Sequence, residues 1–197
     1  MVGGIIRHSL DSFETVFAAE LPTCDTYSVS KKGIYSTADL IERPEMAIYE
    51  EVRKSLPDAV IGDFKQAGKC LAFELPTGAG FHTMRSTEAV LRIYWKLVLQ
   101  PKSRIKPPEM AKCINELRKR GEDEKLLDVL DHIRDLHRNT LMHPEAFLTM
   151  KEALRLFDIA KSAITAMGDR IITLRNAAVS PTVGSVAKTV LPRPPVP

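Results

Sequence analysis

The sequence predicts an all-α fold, a helical bundle, and three observations carry that expectation. Apolar residues recur at steps of three and four over long stretches, as in Leu126, Leu130, Ile133, His137 and Leu141, the spacing of one helix face. Breakers bound segments of helical length: Pro22, Pro57, Pro76, Gly121 and Pro144 each mark an end or a junction. β-forming residues alternate only in a short stretch between Thr26 and Ser36, and an isolated hairpin is barely stable in water. The expected architecture is therefore an antiparallel helical bundle with a small N-terminal extended or hairpin segment and a flexible C-terminal tail.

A chain of 197 residues suits one well-cored domain. Its apolar share of 44% and charged share of 27% are those of an ordinary globular protein. A formal net charge of +3 permits nucleic-acid binding without arguing for it. Cys24, Cys70 and Cys113 are an odd count with no Cys-x-x-Cys spacing, as expected of reduced thiols in a cytosolic protein. Residues 1–10 lack the apolar core of a signal peptide, and no run would span a bilayer. The expected location is cytoplasmic, with no membrane partner.

The first helix is expected over Ser9 to Leu21, capped by Ser9, with Phe13, Val16, Phe17 and Leu21 as its stripe. That aromatic density is suited to docking on the bundle or on a second subunit. Thr26-Tyr27-Ser28-Val29 and Ile34-Tyr35-Ser36 flank a turn at Ser30-Lys31-Lys32-Gly33 and read as a short hairpin or two extended segments. Thr37 to Ile41 starts a short helix that Arg43-Pro44 breaks, and Met46 to Leu56 reads either as a short helix or as a covering loop.

Asp58 to Leu75 is expected to be a helix capped by Asp58, with a small face at Ala67, Gly68 and Ala72 that admits a close neighbour. Thr77-Gly78-Ala79-Gly80 opens the next. Its Gly-x-Gly lacks the Lys-Ser/Thr of a phosphate loop, so Thr77 reads as an N-cap. Phe81 to Leu99 follows, with Phe81, Met84, Glu88, Leu91, Tyr94 or Trp95, and Val98 expected toward the core. Glu88 must be paired if buried, and Arg85 and Arg92 are in local reach. Gln100 to Pro108 is a basic connector. A helix then runs to Arg118-Lys119-Arg120, with Gly121 as its C-cap.

The next helical run opens at Glu122. Asp128, Asp131, His132 and Asp135 cluster on it, but no second acidic-histidine helix completes a metal set, so a solvated face is expected and no metal. A last long helix starts at Glu145 or Thr149. Residues 1–57 thus form a helix and extended segment on the bundle, 58–176 the bundle, and 177–197 a Pro-rich tail.

The helix from Glu122 ends in Asp135-Leu136-His137-Arg138-Asn139-Thr140-Leu141-Met142-His143-Pro144. Pro144 disfavours the α region at His143 and stops the helix there. This brings together a guanidinium shaped for phosphate, an amide, and an imidazole that exchanges protons near neutral pH. Cations in a last turn also complement the helix dipole with no ligand at all.

Arg-Asn-Thr-Leu-Met-His resembles the arginine, polar residue, three residues, histidine pattern of the HEPN superfamily of helical nucleic-acid-acting domains. Phe81-His82-Thr83-Met84-Arg85-Ser86-Thr87-Glu88 upstream and Pro144-Glu145-Ala146-Phe147 downstream add to the resemblance, which covers roughly residues 58 to 175.

The resemblance implies a HEPN-like bundle, a homodimer that joins two motifs in a composite cleft, and cofactor-free, metal-independent cleavage of RNA. Arg138 would hold the scissile phosphate, His143 act as general base or acid, and Asn139 orient the phosphate. It also implies that Glu88 braces Arg138 while His82 and Arg85 add phosphate contacts. Polar braces within the bundle are the alternative for these three. No tyrosine closely follows His143, unlike HEPN toxins paired with nucleotidyltransferase antitoxins. An endoribonuclease in defence or stress is the expectation, with a possible antitoxin or other protein partner. The alternative is a non-catalytic helical module that binds a nucleotide, RNA or protein.

Overall fold

The structure, a computed structural model, describes residues 2–24, 29–101, 108–142 and 147–179, with side chains at all of these except 2, 3, 136–142 and 179. Among the described residues there are eight α-helices and no strand. They are α1 (Val2–Glu20), α2 (Thr37–Glu42), α3 (Glu50–Ser55), α4 (Asp58–Ala72), α5 (Pro76–Leu99), α6 (Met110–Lys119), α7 (Glu124–Met142) and α8 (Met150–Val179). Short 3-10 turns lie at Leu21–Thr23 and Pro44–Ala47. The all-α expectation holds.

The chain divides into two compact units, Met1–Ser30 and Lys31–Pro197. In the first, α1 begins well before Ser9, which therefore lies inside the helix instead of capping it. Ile6, Leu10, Phe13 and Phe17 continue one stripe at helical steps, and the stripe carries the helix upstream past Ser9. These side chains are exposed, and the Phe13 and Phe17 rings stack with centroids 5.7 Å apart.

The second unit is built around α5, which packs most extensively on α4 and α8 and also on α6 and α7. Phe64, Leu71, Leu91, Tyr94, Ile114, Leu117, Leu127, Leu130, Phe157 and Ile164 are fully buried between these helices. Of the expected hairpin, the described residues contain a single bridge, Lys32 to Tyr35, around Gly33 at φ +58°. Thr26 to Ser28 lie outside the described residues. Lys32 is buried and its ammonium pairs with Glu74. Ser36 caps α2 by accepting from the Asp39 N–H at 3.4 Å, and the open alternative at Met46 to Leu56 resolves into α3.

Two glycines set how the short helices seat. A Cβ on Gly68 would lie 2.9 Å from the Leu40 carbonyl oxygen and closer still to Pro44. The small face of α4 therefore admits the corner after α2. A Cβ on Gly168 would lie 3.1 Å from Val52 Cγ2 and closer still to Cγ1, so α3 rests on α8 at that point.

The C-terminal half of α5 turns Leu91, Tyr94 and Trp95 inward as expected, with Met84 and Val98 packed against the core. The expected inward positions Phe81 and Glu88 are not core residues. Ala79, Thr83, Ser86, Thr87, Val90, Leu91, Tyr94 and Trp95 are buried, while Phe81 is 49% exposed. The inward hydroxyls are satisfied locally. Thr83 donates to the Ala79 carbonyl and Thr87 to the Thr83 carbonyl, both at 2.8 Å, and Ser86 donates to the Val60 carbonyl of α4 at 3.1 Å. Bonded in this way, short polar side chains fill a tight helix contact without an unpaired group.

Helix ends show which punctuation rules operate. Asp58 occupies the first helical position after Pro57 and makes no cap bond. Pro76, expected as a stop, is the first residue of α5, where its missing N–H costs nothing. Thr77 consequently falls inside α5. Gly121, at φ +76°, closes α6 with bonds from its N–H to Arg118 and from the Glu122 N–H to Leu117 at 3.1 and 3.3 Å. Asp123 caps α7 by accepting from Lys125 and Leu126. Thr149 and Glu152 form a reciprocal capping box at the start of α8, with bonds of 3.3 and 2.8 Å.

The acidic row on α7 is matched by cations. Arg118 of α6 pairs with Glu124, Asp128 and Asp131, and Arg134 pairs with Asp131 and Asp135. Among the described residues, no group of three or more His, Cys, Asp and Glu side chains is placed to hold a metal ion. No described helix is long and apolar enough to cross a membrane.

Candidate functional site

Of the six residues singled out in the sequence, three are described with their surroundings. His82 and Arg85 lie one turn apart on α5, and a single carboxylate holds both. Asp63 of α4 presents Oδ1 to His82 Nδ1 at 3.0 Å and Oδ2 to Arg85 Nε at 3.2 Å. Facing a carboxylate, which only accepts, the imidazole carries its proton on Nδ1, and in the neutral ring Nε2 is then the acceptor. Asp63 is mostly buried, its side chain 17% exposed, while that of Arg85 is 57% exposed. The carboxylate is thus an anchor inside the helix contact, and the guanidinium stands at the surface.

Phe81 completes the cluster. Its ring lies 5.5 Å from the Arg85 guanidinium carbon and 5.5 Å, edge to face, from the His82 ring. The observed geometry is a cation against an exposed aromatic, which is mildly attractive.

Glu88 does not join this cluster. It accepts from Arg92 of its own helix at 2.7 Å, the local pair that the i,i+4 spacing allows. Arg138 and Asn139 lie in the helical backbone of α7, and their side chains are outside the described residues, as is all of His143. The described residues on either side of the stretch are held in the bundle. Ile133 of α7 is buried in the core. Beyond the stretch, Leu148 is buried and its N–H donates to Thr77 Oγ1 on the first turn of α5 at 3.3 Å. His82 lies about 7.5 Å farther along that helix, at 1.5 Å per residue.

Asp63 and Phe81 are functional candidates that the sequence reading missed. Asp63 borders the apolar stripe of Val60, Phe64, Ala67 and Leu71. An acid at a stripe edge signals a buried pairing, but its partners are nineteen and twenty-two positions away. Helical spacing predicts Phe81 in the core, but it is 49% exposed.

A second polar cluster joins Tyr35, Asp158 and Lys161. The Tyr35 hydroxyl donates to Asp158 and accepts from Lys161 at 3.0 Å. Burial, then the Asp158 hydrogen bond, pushes the phenol above its usual range. A neutral phenol tied to two partners is a brace between the extended segment and α8. Cys70 and Cys113 are also poorly suited to nucleophilic work. Burial raises the Cys70 thiol and pushes Cys113 up to about 11, and thiols so placed are inert at neutral pH.

No protein family, curated protein or solved structure matches this chain.

Proposed function

We propose that this chain is a metal-independent endoribonuclease of the HEPN type, acting in defence or stress as a homodimer with a composite cleft. The observation that carries the reading is the Asp63 clamp. It holds an imidazole and a guanidinium together on α5, on the helix whose first turn is bonded to the chain just past the Arg138–His143 stretch. In this reading Arg138 binds the scissile phosphate and stabilises the charge that develops on it. His143 takes the proton of the adjacent 2′-hydroxyl or gives one to the leaving 5′-oxygen. Asn139 orients the phosphate, and His82 and Arg85 contact its neighbours along the strand. The 2′-oxygen attacks phosphorus and the P–O5′ bond breaks, leaving a 2′,3′-cyclic phosphate and a 5′-hydroxyl. DNA, without the 2′-hydroxyl, is spared.

The Glu88–Arg92 pair favours a second reading, a non-catalytic helical module that binds a nucleotide, RNA or protein. A carboxylate already matched within its own helix has less to offer as a brace for Arg138.

The test is incubation of the purified chain with structured and single-stranded RNAs in EDTA, beside folded Arg138→Ala and His143→Ala variants. Cleavage that leaves cyclic phosphate and drops by roughly a hundredfold or more in each variant is expected. Equal cutting by all three proteins would sink the mechanism. Binding of RNA with no cutting would establish the second reading.

A further inference from the structure

We infer that Phe81 and Arg85, positioned with His82 by Asp63, form a single-nucleotide subsite that stacks an RNA base on Phe81 and binds its phosphate through Arg85. The inference rests on the RNA reading above and specifies which form of RNA is recognised. A paired base cannot leave its stack cheaply to lie on a protein ring, so the subsite selects single-stranded RNA.

The argument starts from what is unusual about Phe81. A large aromatic in the second turn of α5 has the core open to it one position away, yet its ring is half exposed. Ala79, Gly80 and Thr83 take the inward positions instead. An exposed phenyl contributes little to folding, and here it is flanked by a guanidinium at 5.5 Å and an imidazole at 5.5 Å. Single-strand sites pair such an aromatic, whose face any base can cover, with cations that follow the backbone.

Asp63 makes the arrangement specific. Arg85 is a long side chain that would otherwise sample many rotamers in water. Its Nε is held at 3.2 Å by an acid anchored in the α4–α5 contact. The terminal nitrogens of the guanidinium are the groups shaped for a phosphate fork. The same acid orients His82 through Nδ1, so Nε2, the acceptor of the neutral ring, is left for a donor on the nucleotide and not for a phosphate oxygen. Asp63 is a positioning residue and touches no ligand itself.

The test is affinity of the full chain for a short single-stranded 2′-O-methyl oligonucleotide, which cannot undergo 2′-attack, and for an abasic strand of equal length. Phe81→Ala is expected to weaken the base-bearing strand roughly tenfold or more while leaving the abasic strand unchanged, and Phe81→Trp to restore the affinity. Arg85→Ala should weaken both strands and lower the dependence on salt by about one phosphate contact. Asp63→Asn should follow Arg85→Ala in direction. Loss of both strands equally in Phe81→Ala, or no loss in either, overturns the subsite. A wild-type chain that cuts RNA while Phe81→Ala binds normally overturns the subsite and leaves the nuclease standing. A chain that stacks bases on Phe81 but never cuts RNA sinks the nuclease and leaves the subsite. A chain that binds neither strand overturns the subsite, and RNA cleavage in EDTA then decides the nuclease on its own.

Discussion

Gly168 and Gly62 are both helix-interior glycines, and their surroundings give them opposite value. Glycine in a helix costs roughly 1 kcal/mol relative to alanine, through the freedom it loses on folding. At Gly62 a methyl group would meet nothing within 4 Å, so Gly62→Ala should stabilise by about 0.5–1 kcal/mol. At Gly168 the methyl would press into the fully buried Val52. Backbone on both sides is helical and cannot yield cheaply, so overpacking of about 1–3 kcal/mol outweighs the propensity gain. Thermal unfolding of the two variants should therefore shift in opposite directions. A rise in Tm for Gly168→Ala would mean that α3 is not seated on α8 as described.

At the scale of elements, Glu122 ties the turn between α6 and α7 to two other helices. It accepts from Tyr94 of α5 and makes a two-nitrogen contact with Arg170 of α8 at 2.9 and 3.0 Å. The Arg170 hydrogen bonds, ahead of the contribution from Tyr94, hold its carboxyl below the usual value of 4.5. A carboxyl with a depressed folded pKa adds stability that is full above its unfolded value and disappears as pH falls through its folded value. Glu122→Gln should therefore destabilise the fold at pH 7 by about 1–2 kcal/mol, read as a lower Tm, once the partial exposure of Arg170 is allowed for. The gap to wild type should close as pH drops below 4.5. A gap constant from pH 7 to pH 3 would mean that the cost is packing and not charge.

The same scale shows what was legible in the sequence. Ends set by local chemistry were readable: Gly121 as the close of α6, and Thr149 as one of the two starts considered for α8. The small face of α4 was readable because Ala67, Gly68 and Ala72 recur at helical spacing, and all three are buried. The first half of α5 was not, because its inward face is made of Thr83, Ser86 and Thr87, whose hydroxyls bond to carbonyls and pass as core, whereas Leu91, Tyr94 and Trp95 in its second half were readable. The candidate site divides in the same way. His82 and Arg85 share a helix, and their joint exposure to one partner follows from spacing. Asp63 reaches them only through the docking of α4 on α5, which no local pattern encodes.

At the scale of the whole molecule, the segment from Lys31 to Leu56 belongs to the bundle's own unit, seated by Gly68 and Gly168 and fastened by Lys32. Lys31 and Lys32 are neighbours with opposite surroundings: Lys31 is exposed, while Lys32 is 6% exposed and ion-paired. Amine acylation needs an accessible, deprotonated nitrogen. Under brief treatment with a lysine-selective reagent, mass spectrometry should find Lys31 modified well ahead of Lys32. Equal labelling of the two in the folded chain would show that the segment is not docked. Because the fast amine sits beside the slow one, their ratio needs no external standard. Followed up a temperature ramp, it separates peeling of this segment from melting of the helices beneath it.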